Sequence, residues 1–103
     1  SNVFYFDSSG IVRTSALSEN ILPGITRQIL INALVGTAFN VQEGNCNIED
    51  FNSSPCMWLT SSTKGLLPIT NLIGSNYKLQ ENYTGYLEVS EIFQAAMQSL
   101  LEV

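Results

Sequence analysis

The feature that most limits what this chain can become lies near its end. Val89, Ile92, Phe93, Ala96, Met97, Leu100 and Leu101 recur at i, i+3, i+4 and i+7, the spacing that collects side chains on one stripe of a helix. The stripe predicts an amphipathic helix over 88–102. Its apolar side must lie on something, and most of the remaining chain offers short β-type runs. Residues 3–6 and 11–14 flank Asp7-Ser8-Ser9-Gly10, a turn composition that reads as a hairpin. A loop is expected over 15–24. A second helical stripe, Ile29, Leu30, Ala33 and Leu34, follows from Thr26, with Gly36 as its stop. Residues 39–43 read as a short strand, and 47–51 as a short helix capped by Asn47. A buried strand is expected over 57–59. The apolar run 66–72 contains Pro68, which restricts it to an edge or irregular strand because proline cannot donate to a ladder. Polar turns fall at 60–65 and 74–76. The expected fold class is therefore α/β or mixed α+β, short strands with two main helices.

Composition narrows the function. At 103 residues the chain makes one small domain or one piece of a larger one. Only 13 % of its residues are charged, against roughly 25 % in an ordinary domain, so some faces are expected to be buried against protein beyond this chain. Four cationic residues and a net charge of −5 argue against nucleic acid and anionic membrane, which require clustered cations. A single phosphorylated small molecule is still compatible, since it needs only a local nest of amides and hydroxyls. No apolar run approaches the ~18 residues of a membrane span, and no leader is visible. The opening Ser1-Asn2-Val3-Phe4, without an initiator Met, reads as the interior of a longer sequence. The chain has no histidine, and Cys46 and Cys56 lack metal-site spacing. Histidine triads and most zinc sites are thus excluded, and two free intracellular thiols are expected.

Two segments could carry chemistry. In "ILPGITRQILI", Pro23-Gly24 ends a loop and a helix begins near Ile25 or Thr26. The first amides of a helix lack intrahelical partners and sit at its positive end. Together with the Thr26 hydroxyl they form a recipe for holding a phosphate. The plainer alternative is a turn followed by a capped helix. In "TSSTKG", residues 60–65, four successive hydroxyls follow a buried strand. They could donate to the same anion, or simply form a solvated turn.

"SNVFYFDSSGIV", "ILPGITRQILI" and "WLTSSTKGLLPIT" stand in the order and at the separations of the class IV aminotransferases, which the chain resembles over residues 1 to about 75. That family depends on pyridoxal phosphate and includes branched-chain and D-amino-acid aminotransferases and aminodeoxychorismate lyase. The resemblance implies that residues 1–103 are the C-terminal, large-domain portion of the D-amino-acid aminotransferase-like fold. It implies that Gly24, Ile25 and Thr26 grip the cofactor phosphate, with Ser62 as a further contact and Leu22 beside the cofactor ring. Ser61 and Thr63 would lie near the substrate carboxylate. Leu22 reads equally well as a core leucine.

The resemblance also implies what is missing. The family's Schiff-base lysine and the glutamate that bonds the pyridine nitrogen both lie upstream of "SNVF". Neither Lys64 nor Lys78 stands at the family position, and both read as solvated surface lysines. The expected function is thus part of an enzyme: it supplies the phosphate anchor for amino-group transfer between an amino acid and a 2-oxo acid, or for the related lyase reaction. By itself the chain would be inactive. The alternative is a non-catalytic module that binds a phosphorylated small molecule or a protein partner. A cytoplasmic homodimer is what the resemblance implies for the whole protein.

Overall fold

The computed structural model describes residues 2–16 and 24–101. Its elements are β1 (Val3–Phe6), β2 (Val12–Ser15), α1 (Ile25–Leu34), β3 (Gln42–Gly44), α2 (Ile48–Asn52), β4 (Met57–Ser61), β5 (Gly65–Ile69) and α3 (Thr84–Leu101). The fold is mixed α/β, with a five-stranded sheet in the order β3-β2-β1-β4-β5. All neighbours are antiparallel except β2 and β3.

The β1–β2 hairpin is set by Asp7. Its Oδ1 accepts the Ser9 and Ile11 amides at 2.8 and 2.9 Å, an Asx-type turn, and Gly10 closes the turn at φ +83. The turn takes Ile11 for itself, so β2 begins at Val12, one residue later than its composition suggests. Register then places Phe4 opposite Thr14 on one side and opposite Trp58 on the other. The Phe4 and Trp58 rings stack at 5.7 Å and 10°.

Strand alternation sorts the side chains onto two faces. Phe4, Phe6, Val12 and Trp58 join Leu30 and Leu34 of α1 and Val89 and Phe93 of α3 in the main core. The opposite face carries a smaller cluster around Tyr5, Met57 and Tyr77. The Tyr77 hydroxyl accepts the Met57 amide at 2.9 Å and donates to the Ile69 carbonyl at 2.7 Å. This clips the chain that follows β5 across that face.

Several boundaries move for physical reasons. α3 starts at Thr84, four residues before the expected start at 88, because Tyr83 and Tyr86 pack on Phe6 and Trp58. Phe39 lies outside β3. Thr37 bonds the Leu34 carbonyl and receives the Phe39 amide, turning Phe39 edge-on to Phe6 at 6.1 Å. β5 is an edge strand, as Pro68 requires, and ends at Ile69. Most of the expected loop over 15–24 lies outside the described residues, while Ser15 extends β2.

Candidate functional site

The helix-covered face of the sheet is apolar at one end and polar at the other. Along β1 the inward side chains run Phe6, Phe4, Asn2, and along β4 they run Cys56, Trp58, Thr60. On β2 they are Val12 and Thr14, and on α1 they run Leu34, Leu30, Arg27. All eleven are buried. Asn2, Thr14, Thr60 and Arg27 therefore form one buried polar layer beneath the N-terminus of α1. Buried polar groups are stable only when hydrogen-bonded, and this layer is knitted together. The Asn2 amide donates to the Thr60 hydroxyl at 3.2 Å, and the Thr60 amide donates to the Asn2 carbonyl at 2.9 Å. Thr14 donates to the Val3 carbonyl at 2.7 Å.

Above this layer stands the start of α1. Its N-cap is Gly24, in extended backbone and with no side-chain cap. A Cβ added there would stand 3.1 Å from Asn2 Oδ1, so the glycine lets the helix end approach β1 closely. The first turn holds no acidic residue. Nothing in that turn neutralises the positive end of the helix, and the capping role that Ser or Asp would play is open to a ligand. Ile25, the first helical residue, is 80 % exposed. Its side chain contributes little to the core, and its amide is what the position offers.

Thr26 unites the two candidate segments. Its hydroxyl donates to the Ser61 carbonyl at 3.1 Å, joining the start of α1 to the end of β4. Within the following turn the Ser61 hydroxyl accepts the Thr63 and Lys64 amides, both at 3.3 Å, and lies 3.3 Å from Thr63 Oγ1. Ser61 thereby shapes the hydroxyl turn. Ser62, Thr63 and Lys64 are exposed at its tip. Lys78 is also exposed and lies in a different loop, bridged to Asn71. Leu22 lies outside the described residues.

The donor set suits a phosphate group: uncapped helix amides, a glycine that admits close approach, and hydroxyls at 26 and 62. Among the described residues no group of three His, Cys, Asp or Glu side chains could hold a metal, and no helix is long and apolar enough to cross a membrane.

Arg27 is the residue that sequence reasoning missed. It is only 2 % exposed. Its Nη1 donates to Thr14 Oγ1 at 3.2 Å, and its Nη2 donates to the Ser15 carbonyl at 2.7 Å and to Glu43 at 2.8 Å. A signal was present: Arg27 precedes Leu30 and Leu34 by three and seven residues, which places it on the buried stripe.

A family model described as amino-transferase class IV matches residues 1–72. An aminotransferase from Brucella abortus, solved with its cofactor PLP, is 27 % identical over 92 % of this chain and 32 % of its own, with a TM-score of 0.78. A Legionella pneumophila protein provisionally assigned as a 4-amino-4-deoxychorismate lyase shares 24 % identity over 92 % of this chain and 34 % of its own, at a TM-score of 0.80. The branched-chain amino acid aminotransferase of Escherichia coli shares 21 % over 91 % and 30 %, at 0.72. The last two likenesses are likenesses of fold. No curated protein matches. The chain spans about a third of the length of the solved structures it matches.

Proposed function

The chain belongs to the class IV aminotransferase family, and from that premise we propose that it is the cofactor-phosphate-holding portion of a pyridoxal-phosphate enzyme. The enzyme moves an amino group between an amino acid and a 2-oxo acid, or carries out the related aminodeoxychorismate lyase reaction. Residues 1–103 form the C-terminal, large-domain part, and the family's lysine and ring-nitrogen glutamate lie outside this chain. When bound, the cofactor supplies the electron sink for chemistry at the substrate's α-carbon. This chain's own residues supply position and electrostatics.

In this reading the amides of Ile25 and Thr26 donate to the phosphate, Gly24 admits it, and the hydroxyls of Thr26 and Ser62 complete its shell. A hydroxyl has one proton, and that of Thr26 is given to the Ser61 carbonyl. On binding, Thr26 therefore turns its hydroxyl proton from that carbonyl to the phosphate, alongside its own amide. Ser61 and Thr63, on that turn, face the substrate carboxylate, and Leu22 packs by the cofactor ring. Lys64 and Lys78 take no part in catalysis. The whole enzyme works as a homodimer, as the family implies, and in the cytoplasm, where free thiols such as Cys46 and Cys56 are the rule.

The observation that carries the proposal is the Thr26–Ser61 hydrogen bond, which brings both hydroxyl segments to one uncapped helix end. The test is the affinity of the protein that carries this chain for pyridoxal phosphate and, separately, for pyridoxal, which lacks the phosphate. Thr26→Val should reduce the preference for the phosphorylated form by about tenfold or more, the usual worth of a hydrogen bond to a charged group. An unchanged preference would sink the assignment.

A further inference from the structure

Arg27 is an expensive residue to bury. Taking a guanidinium out of water costs several kcal/mol, and a buried ion pair is often no more stabilising than apolar residues of the same volume. Here the compensation is incomplete, because Arg27 Nε is buried and has no hydrogen-bond partner. Leu30 and Leu34, one and two turns along the same stripe, show that an apolar side chain satisfies this face of α1. Stability alone does not account for an arginine at 27.

What an arginine does, and a leucine cannot, is reach three fixed points. Thr14 and Ser15 belong to β2 and Glu43 to β3, two strands paired in parallel. The Thr14 hydroxyl is itself anchored on the Val3 carbonyl of β1. The guanidinium also lies over the Phe4 ring, 6.0 Å from its centre. Arg27 is the third residue of α1 and follows Thr26 directly. A side chain held at this many points fixes the rotation of the helix about its own axis, at 100° per residue. With Arg27 pointing into the sheet, Thr26 meets Ser61 and Ile25 turns outward.

Resting on the function proposed above, we infer that Arg27, braced by Glu43, is a positioning residue: it sets the helical phase that aims the first-turn amides at the phosphate. It touches neither cofactor nor substrate, and it acts through the backbone of residues 25 and 26.

The experiment again uses the protein that carries this chain, with the ratio of pyridoxal to pyridoxal phosphate dissociation constants as readout. The variants are Arg27→Met, Arg27→Lys, Glu43→Gln, Thr26→Val and Val89→Ala. Val89 of α3 is buried in the main core with Leu30 and Leu34, so its truncation destabilises the fold while leaving every residue of α1 unchanged. Arg27→Met should lower the phosphate preference by about tenfold. Arg27→Lys should recover part of it, since an ammonium keeps some strand contacts but not the fork. Glu43→Gln, on a half-exposed side chain, keeps the fold if Arg27→Met does not, and should lower the preference less. In bound pyridoxal phosphate the 31P resonance should shift in Arg27→Met and stay in place in Val89→Ala. The inference is overturned if Arg27→Met and Glu43→Gln keep the native preference, or if Val89→Ala lowers it equally. Should Thr26→Val fall while the Arg27 and Glu43 variants do not, only this inference fails. Should Thr26→Val also hold, the phosphate reading fails with it.

Discussion

The Thr26 hydroxyl donates to the Ser61 carbonyl at 3.1 Å across 35 residues of sequence. This bond fastens the first turn of α1 to the last residue of β4. It lies half-buried, where a lost partner is only partly replaced by water. Thr26→Val, which is close to isosteric, should therefore lower stability by about 1 kcal/mol, read as a lower urea midpoint at unchanged slope. Thr26→Ser keeps the hydroxyl and should stay within about 0.5 kcal/mol of the native protein. Equal midpoints for the valine and serine variants would show that the bond adds nothing to the fold.

Gly85, the second residue of α3, sits against Phe6. A Cβ there would lie 2.9 Å from Tyr83 Cε2 and 3.0 Å from Phe6 Cε1 and Cζ. Phe6 has little room to yield, since Phe39, Trp58 and Tyr83 all pack on its ring. Replacing glycine by alanine in a helix interior gains up to about 1 kcal/mol, and less this close to the helix start. Overpacking costs about 1–3 kcal/mol. The clash wins. Gly85→Ala should lower the thermal midpoint, and a rise in that midpoint would show that the sheet and α3 separate more easily than their packing suggests.

Gly85 also shows why parts of the fold were illegible. A glycine and two tyrosines carry no helical stripe, so α3 reads as starting near 88, and only the aromatic packing on Phe6 and Trp58 extends it to Thr84. β1 was legible to the residue, because an aromatic run ending at an Asx turn encodes its own boundary. Phe39 looked like a strand residue because its local chemistry is β-like, and a threonine two residues earlier diverts it. At the site, the two hydroxyl segments could be read singly, but their contact could not: it depends on the length of β4 and the pitch of α1 together. Arg27 was hidden by its charge, since a cation on an apolar stripe is ordinarily read as an edge residue that reaches water.

Asp7 links pH to stability. Burial pushes its carboxyl up, but the Arg13 guanidinium at 2.6 Å and the Ile11 and Ser9 amides pull it further down, so the net result lies below the ordinary 3.8. A carboxyl with a lowered folded value favours folding in its ionised form. Its contribution is fully present above about 3.8 and is lost as pH falls through the lowered value. Asp7→Asn keeps an oxygen for the Asx turn but loses the ion pair, whose arginine is partly exposed. The variant should be less stable than the native protein at pH 7 by about 0.5–1 kcal/mol. The gap should close as pH falls through the lowered value, as followed by thermal melts across the acid range. A gap that persists undiminished in acid would assign the effect to the turn instead of the charge.

The two thiols should differ in reactivity because they lie in different surroundings. Cys56 is fully buried on the helix-covered face, and burial pushes its thiol up to about 12, so almost no thiolate forms at pH 8. Cys46 is half-buried on the other side of the sheet, its sulfur 3.7 Å from the Gly44 carbonyl. Only the thiolate attacks a disulfide reagent, and it must also be reachable. Cys46 should therefore be labelled first in the native protein. Cys56 should be labelled only as fast as the core opens, with a rate that climbs steeply with added urea. The sole tryptophan, Trp58, stacks in the same core, so loss of its buried fluorescence should keep pace with Cys56 labelling. Peptide mapping after partial labelling separates the two sites, and comparable native rates at both would mean that Cys56 is reached without unfolding.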